Sequence, residues 1–283
     1  MKSIVKTPAT INFRFAGKQL RKFATIFLIS SVALVSCDKD DDDYEEDKNP
    51  PAPEVKSTIV SGSGDITAQL AQFRTLLGDP LNGTTGQTVG RREINWDGVP
   101  PATTNNNTFP FDFFNSTDPA VGAGRKRGLV YLNTNASFRV DTTAFTDIEP
   151  TYAFEFKAFS PKRLFATIGT NVSDIGFRIA GTNTEAFVRG FGLIFSDVDQ
   201  SNSTTVEFFA GNKSLGIFKA PARSDANGHS FLGVFFPEEK VTRVKVTAGN
   251  GILAAGQKDV SEGGTKDMIV MDDFFYDEPK SKN

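Results

Sequence analysis

The residues of this chain best equipped for chemistry are carboxylates and a few flat polar side chains. Asp197 and Asp199 sit two apart in FSDVD, at the end of a run that reads as a strand, and Asp272 and Asp273 are adjacent in MDDFFY. Hard carboxylate oxygens at turns suit Ca2+, which takes about six to eight oxygen ligands. These four aspartates are therefore the expected ligands of a structural calcium, with Asp147 and Glu149 of TDIEP as further donors. The competing reading is that they cap turns or face water. A second group lies in RREINWDGVP, where Trp96 stands among Glu93, Asn95 and Asp97. A sugar ring stacks on such an aromatic face while neighbouring polar groups bind its hydroxyls, so these four form the expected ligand-binding set. Equally, Trp96 alternates with Ile94 as core residues of a strand do, which would bury it. Tyr131, Tyr152 and Tyr276 are the other flat side chains with a polar handle. For hydrolysis of a glycan, Glu93 with Asp97, or Glu155 in YAFEF read as a strand, offers an acid and a base; such chemistry needs two carboxyls at a set separation across a cleft.

Other chemistries lack their parts. The one histidine, His229 in ANGHSFLGV, has no Gly-x-Ser-x-Gly elbow to partner it and reads as a solvated turn residue. Cys37 is the one cysteine, which excludes disulfides and Cys-based zinc sites within the chain. No glycine-rich loop joins a strand to a helix, as a nucleotide site would require.

The elements that must position these groups are mostly strands. Residues 186–250 alternate around turns: Phe187, Phe191, Leu193 and Phe195, then Val206 and Phe208, then Leu215, Ile217 and Phe218 beyond the turn Gly211-Asn212-Lys213-Ser214. Phe231–Phe235 and Val241–Val246 continue the series up to Gly249-Asn250-Gly251. Strands this close leave no room for helical crossovers, so the sheets are antiparallel. One helix stands apart: Ile66, Leu70, Phe73 and Leu77 share a face, Asp65 offers an N-cap, and Gly78 and Pro80 end the run. The expected fold is all-β, an antiparallel jelly-roll-like sandwich with one short packed N-terminal helix.

The first 36 residues carry six basic side chains and no acid, and end in an apolar run from Phe23 to Ser36 that is short for a membrane-spanning helix. Leu34-Val35-Ser36-Cys37 matches the lipobox of bacterial lipoproteins, so residues 1–36 read as a signal peptide and Cys37 as the lipid attachment point. Residues 37–56 begin with an acidic run, Asp38–Asp47, and end near Pro50-Pro51-Ala52-Pro53; they read as a solvated tether. Residues 57–283 are the sandwich domain. Beyond residue 36 the balance is 25 basic against 34 acidic residues, which argues against nucleic acid as a partner.

The acidic run directly after Cys37 resembles the surface-export signal of Bacteroidetes lipoproteins. That resemblance implies the outer membrane, lipid-anchored and facing the cell surface, with a periplasm-facing spacer as the plainer reading. The words RREINWDGVP, FDFFNS, RGLVY, SPKRLFATIG, RGFGLIFSDVDQSNSTTVEFF, SFLGVFF, RVKVTAGN and MIVMDDFFYDEP resemble a largely uncharacterised bacterial family of secreted or surface domains, over roughly residues 70–279. The later words also resemble jelly-roll-like domains that end in a DDF strand. The resemblance implies a β-sandwich on the cell exterior and carries no reaction with it. By fold analogy it implies glycan binding. The expected function is a surface-anchored, non-catalytic binding or adhesion module for a glycan or surface protein. The alternatives are a glycan-active hydrolase with paired carboxylates and a structural envelope protein.

Overall fold

The computed structural model describes residues 54–225 and 228–282, all within one compact unit, Ala52–Asn283. Cys37, the signal peptide and the acidic run lie outside the described residues. Among the described residues, no helix is long and apolar enough to cross a membrane.

Among the described residues the unit holds fourteen strands and one α-helix. In chain order they are β1 (Thr58–Ser63), α1 (Thr67–Leu77), β2 (Arg91–Ile94), β3 (Leu129–Tyr131), β4 (Ser137–Asp141), β5 (Leu164–Ile168), β6 (Val172–Phe177) and β7 (Ala186–Phe187). After these come β8 (Gly190–Ser196), β9 (Thr205–Ala210), β10 (Lys213–Lys219), β11 (His229–Phe235), β12 (Arg243–Thr247), β13 (Val270–Asp277) and β14 (Lys280–Ser281). A seven-stranded sheet runs β1-β11-β8-β13-β5-β4, with β2 also pairing β13, and a five-stranded sheet runs β10-β9-β12-β6-β3. Every strand pairing in both sheets is antiparallel. Successive strands alternate between sheets, as a jelly-roll-like sandwich requires: β8 lies in the larger, β9 and β10 in the smaller, β11 in the larger, β12 in the smaller and β13 in the larger.

The core follows from period-two alternation. Ile175, Phe177, Val206, Phe208, Val244 and Val246 from the small sheet meet Phe191, Leu193, Phe195, Leu232, Val234 and Phe274 from the large one. The expected hairpin is present as β9 and β10. Strand β8 is buried on both faces, because α1 covers its outer side. There Leu70, Phe73 and Leu77 of the helix pack with Ile194, Phe231 and Phe275. Gly192 and Gly233 are register partners, and a Cβ on either would come within 2.7 Å of the Phe73 ring. The two glycines thus let the helix settle onto the sheet. The Asp65 carboxylate accepts the Thr67 N–H at 3.1 Å, but the helix starts one residue later than the pattern implied, with Ile66 in the cap position.

Two expectations about local structure are corrected. Glu155 is not on a strand: Pro150 opens a short 3-10 turn over Pro150–Phe154, and Glu155 closes it. Trp96 does not continue the strand of Ile94 either. Strand β2 ends at Ile94, and Trp96 has φ 63°, so its side chain enters the core from a turn.

Candidate functional site

Trp96 is 1 % exposed. It stacks on Phe165 at 4.3 Å between centroids and meets Phe109, Phe114 and Phe274 edge-on. Its Nε1–H donates to the Asp272 carbonyl at 3.0 Å. Both ring faces and the polar handle are occupied by protein, so Trp96 is an anchor and offers no sugar platform. The set expected to act with it disperses. Glu93 pairs with Arg74 of α1 at 2.8 Å and with Arg91 at 2.8 Å. Burial alone would raise the Glu93 pKa, but the two guanidiniums outweigh it and hold the carboxyl below its ordinary value, in the ionised form. Asp97 accepts the Lys162 N–H at 2.7 Å, and Asn95 is exposed. A cleft of about 210 Å³ does border Glu93, Asn95 and Trp96, together with Phe113, Arg125 and Arg127. Its guanidiniums are committed inward, Arg125 to the Phe113 carbonyl at 3.0 Å and Arg127 to the Asn82 carbonyl at 3.2 Å. Tyr131, Tyr152 and Tyr276 are likewise buried.

The four aspartates expected to bind calcium form two separate pairs. Asp272 and Asp273 fall where the β13–β8 register shifts between Met271 and Phe274. The bulge sets both beside the segment that follows Glu155: Asp272 accepts the Phe159 N–H at 2.6 Å, and the Ser160 hydroxyl reaches Asp272 at 3.2 Å and Asp273 at 2.7 Å. Both carboxyls are buried. Burial and the neighbouring Asp273 push Asp272 up to about 9, so it carries the proton and donates it to Asp273. This pair is engaged by Phe159 and Ser160 and stands apart from Asp197 and Asp199. Asp147 is taken by Arg139 at 2.5 Å, and Glu149 by the N–H groups of Thr151 and Gly256.

Asp197 and Asp199 are in a different setting. Both ion-pair with Arg223, at 2.6 Å for Asp199. Asp197 is wholly buried in the left-handed backbone region, φ 74°. Burial and the nearby Glu155 drive its carboxyl upward despite Arg223. Around the pair stand Glu155, Asp259 and Asp267, each from a distant segment. His229, expected in a solvated turn, opens β11 half-buried; its Nε2 lies 3.1 Å from the Lys157 carbonyl and burial lowers its pKa.

An open groove lies on the outer face of the five-stranded sheet. Register places Val130, Gly176, Arg243 and Phe209 in one cross-strand row. Their sequence neighbours Ile175, Phe177, Val244 and Phe208 point into the core, so this row faces outward. Above it two clefts of about 320 and 230 Å³ share Leu132 and Arg178 as a common wall. The Arg243 guanidinium carbon lies 3.7 Å from the Phe209 ring centroid, and the group pairs with Asp174 at 3.3 Å. Leu132 crosses over Gly176, where a Cβ would meet it at 2.8 Å, and Phe111 on the rim is 45 % exposed. Asp112, Asn183 and Asn212 line the groove with side chains that no hydrogen bond or ion pair among the described residues occupies.

Sequence reasoning did not find this groove, because its lining comes from several separate segments. One signal was available: Arg243, Lys245 and Thr247 alternate with Val244 and Val246, which marks an outward polar row. No protein-family model matches the chain, and no curated protein matches it.

Proposed function

We propose that this protein is a non-catalytic binding module for glycans, held through Cys37 on the outer membrane and facing the cell surface. One observation carries the binding reading: the outer groove of the five-stranded sheet presents unoccupied hydrogen-bonding side chains beside flat and apolar ones. A saccharide offers vicinal hydroxyls that are donor and acceptor at once, and a less polar C–H face. The amides of Asn183 and Asn212 and the carboxylate of Asp112 match the hydroxyls. Phe111 and Leu132 match the C–H face. The anchor and surface location rest on the lipobox and the acidic run that follows it. Membership of the secreted or surface family rests on the quoted words. Of the carboxyls named for the hydrolase alternative, Glu93 is held ionised between two guanidiniums and is a poor proton donor.

The test is retention of the purified chain on a panel of immobilised polysaccharides, with released reducing ends measured in the same samples. Retention without release is the expected result. Release would move the reading to a hydrolase, and retention on none of the panel would remove the glycan.

A further inference from the structure

The acidic cluster around Asp197 is built from three long connections. Glu155 comes from the β4–β5 connection, Asp197 and Asp199 from β8–β9, and Asp259 and Asp267 from β12–β13. Glu155, Asp197 and Asp259 each bring an oxygen within 4.8 Å of the others, and so do Asp199, Asp259 and Asp267. Asp259 belongs to both groups, so the two triads are continuous. Four of the five carboxyl side chains are buried: Glu155, Asp197, Asp259 and Asp267.

Charge is the difficulty in this cluster. Arg223, from the β10–β11 connection, is the cation seen pairing with it. Five carboxyl groups meet one guanidinium here, and buried acids so placed either keep protons or need a further cation to ionise together. The hydrogen bonds that do exist organise the cluster without filling it. Asp259 accepts the Ser261 N–H at 2.8 Å and the Met268 N–H at 2.6 Å. Glu155 accepts the Ser261 hydroxyl at 2.7 Å. Asp267 accepts the N–H groups of Asp199 and Gln200 at 3.2 and 2.9 Å and the Ser203 hydroxyl. Asp267 Oδ2 takes two of these donors, whereas Asp267 Oδ1, both Asp259 oxygens and Glu155 Oε2 each take one and keep a second lone pair. Asp197, wholly buried, has an Oδ2 that no donor reaches, and it belongs to the triad with Glu155 and Asp259. Asp199 Oδ2 is also without a donor. Buried carboxylate oxygens ordinarily find a partner.

We propose that Glu155, Asp197, Asp199, Asp259 and Asp267 form a calcium site that clamps the β4–β5, β8–β9 and β12–β13 connections together. The donor set is all oxygen, which suits a hard cation and not zinc, whose ligands are chiefly nitrogen and sulfur. It is rich in carboxylates drawn from irregular segments. That matches the high and adaptable coordination number of Ca2+ better than Mg2+, which keeps several waters in a strict octahedron. Arg223 stays on the Asp197 and Asp199 oxygens turned toward it and offsets part of the remaining charge. The site differs from the one expected from sequence, since Asp272 and Asp273 take no part.

The test uses the full-length chain, stripped with EDTA and dialysed, with bound calcium counted at equilibrium and melting followed in parallel. The expected result is one tightly held calcium per chain, with a higher melting temperature in calcium than in EDTA. Asp199→Asn, at the least buried ligand, should weaken calcium binding about tenfold or more while the apo protein still melts cooperatively. Asp272→Asn should bind calcium as wild type does. The same protein starting at residue 52, without the acidic run Asp38–Asp47, should keep the tight ion. No bound calcium in the folded chain would overturn the proposal. So would undiminished binding by an Asp197→Asn, Asp199→Asn double variant, or loss of the ion when the chain starts at residue 52.

Discussion

Trp96 and Arg243 are both flat side chains lying over a phenylalanine, and they do opposite work. Trp96 stacks on Phe165 with 6° between the ring planes, is ringed by three more phenylalanines and spends its N–H on a backbone carbonyl. Arg243 covers Phe209 and pairs with Asp174, yet its head stands at the rim of an open groove where the Asn212 side chain has no partner among the described residues. Stacking on an aromatic is therefore no sign of a ligand site by itself. What separates the two regions is whether the polar atoms around the flat group are already satisfied by protein. Around Trp96 even the acids are consumed, Glu93 by guanidiniums and Asp272 by Phe159, Ser160 and Asp273.

The contrast breaks most visibly at Trp96. Trp96→Ala should cost about 3–5 kcal/mol of stability, read from urea unfolding, because it empties a site that its neighbours cannot close. A change under about 1 kcal/mol would mean that the ring is not an anchor. The acids beneath it sharpen the contrast through pH. A carboxyl whose folded-state pKa is raised stabilises the fold fully below its unfolded value and loses that contribution as pH rises through the folded one. For Asp272 the window runs from 3.8 to about 9. Asp272→Asn keeps an acceptor for the Phe159 N–H and an N–H donor toward Asp273 without an ionisable proton. Wild type should therefore lose stability relative to this variant as pH rises across that window, whereas parallel curves would refute the shared proton. The smallest effect on stability belongs to the groove. Arg243→Ala removes one partly exposed ion pair and one cation–π contact, about 1 kcal/mol together.

Much of the frame was legible because it depends on local periodicity. The spacing of Leu70, Phe73 and Leu77 placed the helix, and the alternation of Val206 and Phe208 with the turn at Gly211 placed the β9–β10 hairpin. Trp96 was legible as an apolar anchor beside Ile94, but not its route into the core, since a left-handed tryptophan leaves no mark in a pattern. Of the acidic cluster, Asp197 and Asp199 stood out at a strand end. Glu155, Asp259 and Asp267 did not, because long connections bring them there and their spacing along the chain carries no period. The groove was hidden for the same reason: Asp112, Asn183 and Asn212 meet only once the small sheet has formed.

The most direct test of the contrast is retention of an Asn183→Ala, Asn212→Ala double variant on the polysaccharide that holds the wild-type chain, with melting recorded on the same preparation. The expected result is lost retention with cooperative melting close to that of wild type. Full retention by the folded double variant would contradict the assignment of the groove as the binding surface.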